Sequence, residues 1–408
     1  MAAAVERSGG CGKKRKCAAA GLDELHDDML ERVLARLPPA SFFRLRGVSR
    51  RWRAAAESNT FRASCARVPA RDPWFLMLSD SAHKDDQEQQ QQQPLVPARP
   101  AVVFDSAERA WARWRGAPGP VPVAAAGGLL LYRDPSSGEL TVTNPLTGAS
   151  RLLPPCGAAA PPGALLAVAM YGSPYRVVLI LGELPDLSMA TFDSSTNAWE
   201  ELSGDVVATN MQRSASRQYS CAVASRRHRG EGDDNNDAVA YFLSHTGTVV
   251  ACDLARRSFA ELPRILPVHH EYSIDVVACD GVGAGASTYV VVLSEFLGAA
   301  SLRVWEFAGD GGGAWRQVAA MPPAMSQPFY GAKADVNCVG HGDRVMVCVS
   351  SSSSGEAEAG VNGCCFMCDV KTNRWEELPR CTAGGGGDGE ATDFVAALSF
   401  EPRMEAAV

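Results

Sequence analysis

Cys364, Cys365 and Cys368 lie close enough in sequence to offer thiolates to a soft metal ion such as zinc. In CDGVGAGAS, Gly281, Gly283 and Gly285 leave backbone amides bare, as a loop that cradles a phosphate must. Whether either chemistry is available depends on the element that carries the residues. GCCFMCDV reads as a strand, which points Cys364 and Cys368 to one face and Cys365 to the other, and no second cysteine or histidine pair has zinc spacing. The glycine loop joins two predicted strands and opens no helix, so it lacks the context of a phosphate site. The seven histidines form no His-Glu-x-x-His pattern, and no Gly-x-Ser-x-Gly nucleophile turn is present. Asp310, in AGDGGGAW, fits a turn. No catalytic constellation, metal or cofactor is expected.

Bulk composition narrows the remaining classes. The 408 residues, 46% hydrophobic and 21% charged, are ordinary globular values and suffice for two or three domains. A net charge of −7 argues against nucleic-acid binding. No apolar run approaches a membrane span, and the first twenty residues lack the apolar stretch of a signal peptide. The thirteen cysteines are therefore expected as reduced thiols inside a cell. Lys13-Lys14-Arg15-Lys16 reads as a nuclear address or as a solvated, disordered basic tail over 1–20, so nucleus and cytoplasm are both expected.

From residue 74 onward one pattern recurs. A strand ends in an acidic residue or Asn, a polar turn follows, and then Trp or another apolar residue leads toward Leu-Pro. FDSSTNAWEEL and CDVKTNRWEELP are the clearest pair, and Asp105, Asn144, Asp193, Asp253, Glu306 and Asp369 mark the six copies. The mean spacing of about 50 residues, with four short strands per unit, is that of a kelch-type propeller blade. Five complete blades can be read between VPVAAAG and RWEELP. PWFLMLSD, AVVFDSA and AWARW supply the last three strands of a sixth, and FVAALSF near the C-terminus supplies its first. Closure by that strand removes the unpaired sheet edge. Asp or Asn at the marked positions is expected to bond the turn backbone, with Trp111, Trp199, Trp315 and Trp375 buried between blades. The glutamine-rich 81–100, and 226–237 and 351–362, read as disordered insertions between strands.

Residues 22–62 differ. Met29, Leu30, Val33, Leu34 and Leu37 fall on one helical face, Asp28 and Glu31 suggest a capping box, and Pro38-Pro39 ends the helix. SFFRLRGVSRRWRAAAES continues as helix, with Phe42, Leu45, Val48 and Trp52 inward and a break near Gly47. So short a module buries little alone and suits docking to a partner. LHDDMLERVLARLPPASFFRLRGVSRRWRAAAESNTF resembles an F-box, in Leu25, Asp28, Leu30, Val33, Leu34, Leu37, Pro38, Phe43, Arg46, Val48, Trp52 and Phe61. His26, where the family usually has Pro, and Ser49, where Cys is common, depart from it.

The whole chain is similar to plant F-box/kelch-repeat proteins. The resemblance implies a small all-α F-box domain over 21–65 followed by an all-β six-bladed ring over 66–408. It also implies a non-catalytic substrate receptor of a Skp–cullin–F-box ubiquitin ligase. A Skp-type adaptor, and through it a cullin, would meet Leu25, Leu30, Val33, Leu34, Leu37, Pro38, Phe43, Val48 and Trp52. If the first strand of each blade is innermost, one face of the ring carries Met211, Arg213, His269, His270, Tyr272, Met325, Phe329 and Tyr330, the expected contacts for a protein substrate. A scaffold that uses the F-box without cullin recruitment is the alternative, and an enzyme of the propeller-oxidase or sialidase kind is a more remote one.

Overall fold

The computed structural model describes residues 25–47, 49–79, 101–114, 119–156, 165–183, 186–202, 208–209, 219–220, 222–226, 237–243, 248–254, 256, 258–265, 272–279, 287–308, 314–351, 363–381 and 394–408. The basic tail and the bodies of the three expected insertions lie outside them, as do the Gly281–Gly285 loop and Asp310. Two units divide between Val68 and Pro69.

In the first unit, α1 (Asp27–Ala35), α2 (Pro39–Arg46), α3 (Arg50–Glu57) and α4 (Asn59–Ala66) follow one another closely. Pro39 opens α2, where its missing amide hydrogen costs nothing. Gly47 caps that helix, and Ser49 and Ser58 cap the next two by accepting from the amides of Trp52 and Phe61. The fourth helix extends beyond the helical stretch anticipated from sequence. Leu30 and Leu34, four apart on α1, are buried with Phe42, Phe61 and Cys65. Phe42 stacks on Phe61 with centroids 5.4 Å apart.

The expected capping box is absent: α1 has no side-chain cap at His26. Glu31 is buried instead, where its Oε1 accepts from Ser58 Oγ at 2.7 Å and Thr60 Oγ1 at 2.9 Å. The local spacing suggested a bond back along α1, but burial turned the carboxylate toward the start of α4.

The second unit is the six-bladed ring. Blade 1 comprises Val121–Ala126, Leu129–Arg133, Leu140–Thr143 and Ser150–Leu152, and blade 2 comprises Leu165–Tyr171, Arg176–Glu183, Asp186–Asp193 and Ala198–Leu202. Blade 3 holds Ala222–Arg226, Asp237–Leu243, Val249–Asp253 and Ser258–Glu261. Blade 4 holds Tyr272–Cys279, Ser287–Phe296, Ala299–Ala308 and Ala314–Ala320, and blade 5 Ala334–His341, Arg344–Ser351, Cys364–Asp369 and Arg374–Glu377. In blade 6, Phe394–Phe400 pairs antiparallel with Trp74–Ser79, which leads on to Ala101–Asp105 and Ala110–Arg113. First strands of neighbouring blades touch in an unbroken cycle, so they are innermost and the ring is closed.

Strand alternation builds the interior. Each seam between blades has its own apolar cluster. Cys364, Phe366 and Cys368 face the seam of blades 4 and 5, whereas Cys365 and Met367 face that of blades 5 and 6. The cysteine trio is thus split between two cores, and no group of three or more metal-capable side chains occurs among the described residues.

The recurring acidic positions act as turn acceptors. Oδ1 of Asp105, Asn144, Asp193, Asp253 and Asp369 accepts from backbone amides two or three residues on, at 2.8–3.3 Å. Glu306 departs from the pattern. Its strand continues to Ala308, and Glu306 pairs with Arg316 at 2.5 Å. The alternation simply runs two residues past the expected turn.

The tryptophans, expected to be buried between blades, are only half-buried, because each stands on the outermost strand of its blade. Trp111 and Trp199 sit opposite Phe104 and Phe192 in the ladder. Trp111, Trp199 and Trp315 each send Nε1–H to a proline carbonyl of the preceding blade: Pro379 at 2.6 Å, Pro154 at 2.7 Å and Pro263 at 2.5 Å. Each proline is that of the Leu-Pro ending the preceding blade, so the repeated line latches one blade to the next. Trp375 donates instead to Asn373 Oδ1 in its own turn.

The run leading into blade 3 is not one strand. YSCAVAS divides into Tyr219–Ser220, which pairs parallel with Ala167 and Val168 of blade 2, and Ala222–Arg226, which belongs to blade 3. A second short piece, Ala208–Thr209, adds in parallel to the outer strand of blade 3. The inner strand of blade 2 and the outer strand of blade 3 each thus gain a fifth-strand partner from the segment that joins the two blades.

Candidate functional site

Two surfaces carry exposed apolar side chains, one on each unit. On α1 the stripe of Leu30 and Leu34 faces inward, at 0% and 2% exposure, and the adjacent stripe of Met29 and Val33 faces solvent at 49% and 39%. Leu30 and Leu34, expected among adaptor contacts, are therefore buried residues of the helical unit, as Phe42 and Phe61 are. A helix short of other apolar cover must commit one stripe to its own core, and α4 takes the Leu30–Leu34 side. Phe43 is exposed at 37%, edge-on to Phe42, while Leu25, Leu37 and Pro38 are half-buried. Trp52 is half-buried too, and its indole N–H meets no acceptor among the described residues. Val48 lies outside the described residues. Ion pairs link the helices: Asp27 of α1 takes Arg51 of α3 at 2.7 Å, and Glu57 of α3 takes Arg46 of α2 at 3.1 Å.

On the ring, loops that join second to third strands and loops that cross to the next blade share one face. Of the residues expected there, Met211, Arg213, His269 and His270 lie outside the described residues, as does the side chain of Tyr272, which begins the inner strand of blade 4. Phe329 does not face solvent. It is 2% exposed, part of the core between blades 4 and 5, and edge-on to Phe366 with centroids 5.9 Å apart. Met325 packs partly against the same core. The crossover folds into a one-turn helix, Pro323–Ser326, and a 3-10 turn, Gln327–Phe329, which directs both side chains inward. Tyr330, one residue on, is 48% exposed.

Sequence reasoning missed the neighbouring hairpin tip. Phe296 and Leu297 are exposed at 60% and 88%. The available signal was an apolar pair ahead of Gly298 at a hairpin turn, where Asn-Gly is the common solution.

Known proteins are similar to this sequence over most of its length. The F-box domain family matches residues 22–64. F-box only protein 13 of Arabidopsis thaliana is 37% identical over 434 aligned residues, covering 95% of this chain and 86% of its own. The chain belongs to the plant F-box proteins. F-box only protein 6 of the same plant is 22% identical over 89% of the chain and 70% of its own length. An F-box/kelch-repeat protein of Arabidopsis is 25% identical over 75% of the chain and 74% of its own. This F-box protein thus joins the module that generally binds Skp-type adaptors to a six-bladed propeller, a combination that fits a substrate receptor.

The ionisable groups of the propeller serve its seams. Asp275, on the inner strand of blade 4, accepts from the amide of Cys338 on blade 5 at 2.6 Å and from that of Val276 at 2.8 Å. The residue keeps some surface, but its carboxyl is enclosed by protein, and that burial, reinforced by Asp335, pushes it up to about 7 against the pull of the two amides. Burial likewise pushes up the thiols of Cys338, Cys348 and Cys368. These are framework groups, not nucleophiles.

Proposed function

We propose that the chain is the substrate-recognition subunit of a Skp–cullin–F-box ubiquitin ligase, with a kelch-type ring that captures a protein substrate. It catalyses nothing itself. It holds the substrate near a charged ubiquitin-conjugating enzyme and so raises the effective concentration of target lysines. The observation that carries this reading is an F-box match over 22–64 in the same chain as a closed six-bladed ring. Adaptor contact falls to the outer stripe of Met29 and Val33, with Phe43, Leu37 and Pro38 beside it. The working compartment is nucleus or cytoplasm, with Lys13-Lys14-Arg15-Lys16 as a candidate address.

Binding of the full-length protein to a purified plant Skp adaptor tests this. Submicromolar binding that Val33→Asp weakens tenfold or more is expected, together with recruitment of a cullin through the adaptor. Absence of adaptor binding, or binding that Val33→Asp plus Met29→Asp leaves unchanged, overturns it. Adaptor binding without cullin recruitment would favour the scaffold reading.

A further inference from the structure

The hairpin between the second and third strands of blade 4 turns at Leu297-Gly298, with φ of 49° and 82°. Both values lie in the left-handed region, which suits Gly and is tolerated by Asn or Asp through local hydrogen bonds. Leucine has no such compensation, and at 88% exposure it gains nothing from burial within this chain. Strain and solvent exposure both oppose leucine at this position, and strained residues of this kind cluster where a ligand is clamped. Phe296 beside it is 60% exposed.

The crossover to blade 5 is stitched to this hairpin at three points. Gln327 Nε2 donates to Gly298 O at 3.1 Å, Gly331 N donates to Glu295 Oε1 at 3.1 Å, and Ser326 Oγ donates to Ala300 O at 2.9 Å. Buried Phe329 pins the crossover from below, and Tyr330 emerges from it at 48% exposure. The exposed side chains therefore stand on an anchored base, which lowers the ordering cost of binding.

We propose that Phe296, Leu297 and Tyr330 form a docking site for a short apolar peptide segment of a partner protein. That the partner is a ubiquitination substrate rests on the receptor reading above. The occupant follows from size. At these exposures the three side chains offer on the order of 400 Å². A standard interface takes about 800 Å² from each partner, so a second copy of this chain would be too weakly held. Two or three apolar anchors of one extended segment fit the available surface.

The test pans the full-length protein against a displayed library of random dodecapeptides and measures the enriched peptides by fluorescence anisotropy. Enriched sequences are expected to carry two or three apolar or aromatic residues. Leu297→Asn and Tyr330→Ser should each weaken binding tenfold or more, and Leu152→Asn, at an exposed leucine on the outer strand of blade 1, should leave it unchanged. Leu297→Asn eases the turn, so its melting temperature should equal or exceed the wild type's. Enriched peptides that bind Leu297→Asn as well as wild type overturn the proposal, as does enrichment of sequences without apolar anchors. A wild-type dimer that Leu297→Asn converts to monomer also overturns it, since a second copy would then cover the patch. Adaptor binding on the same preparations is a separate reading: its failure removes the ligase assignment and leaves the peptide result standing.

Discussion

Asn144 donates through Nδ2 to the carbonyl of Ala406, 2.8 Å away, and to that of Arg403 at 3.0 Å. Its Oδ1 accepts from the amides of Leu146 and Thr147, so this fully buried side chain is satisfied on both sides. Four of the other recurring positions carry Asp. Blade 1 has Asn because the C-terminal segment lies across it and presents carbonyls, which need donors. Asn144→Asp, which would make the repeat more regular, should therefore destabilise the ring by about 2–4 kcal/mol. Urea unfolding checks this. Asp193→Asn, at a more open position, should cost about 1 kcal/mol or less.

The tryptophan latches can be separated from their bulk. Trp111→Phe keeps most of the ring's contact with Phe104 and Phe394 but removes the donor to Pro379, and should cost about 1 kcal/mol. Trp111→Ala should cost about 2–3 kcal/mol, because the half-buried ring's contacts with Phe104 and Phe394 are lost as well. Trp375→Phe, which loses only a bond within its own turn, should cost less than Trp111→Phe. Unfolding midpoints of the three variants rank them.

Asp275 should give the ring a pH-dependent component. Its folded pKa, about 7, stands above the ordinary carboxyl value, so the native state holds an extra proton between about pH 4 and pH 7. This component of stability is full below that window, falls as pH rises through it, and is level above. Asp275→Asn loses one acceptor, which shifts all midpoints by a constant. The informative quantity is the slope: wild type minus variant should decline from pH 5 to pH 7 and flatten by pH 8. A difference that does not change with pH refutes the assignment.

Neighbouring residues on α1 should behave oppositely. Leu34→Asp places a charge in the helical core and should cost about 3–5 kcal/mol, unfolding that unit. Val33→Asp on the solvent side should change stability by less than about 1 kcal/mol while affecting adaptor binding. Limited proteolysis and the helical circular dichroism signal distinguish the two.

What could be read from the linear chain was whatever local spacing encodes. Period-two runs bounded by turns showed the strands, the Asp-turn-Trp line counted the blades, and FVAALSF, left without followers, announced closure. The F-box helices were legible from their apolar periodicity and wording. Tertiary structure alone decided which of two adjacent stripes on α1 faces inward, because Phe61 and Cys65 of α4 supply the core that claims Leu30 and Leu34. It decided that Glu31 reaches Ser58 and Thr60 instead of its own helix start, and that Phe329 lies under the rim while Tyr330 stands on it. Most of all, it revealed the partners of repeated residues: Trp111 finds Pro379, and Asn144 finds Ala406, across most of the chain's length. Spacing encodes the direction in which a side chain leaves its own element, but what it meets there depends on segments brought together only by ring closure.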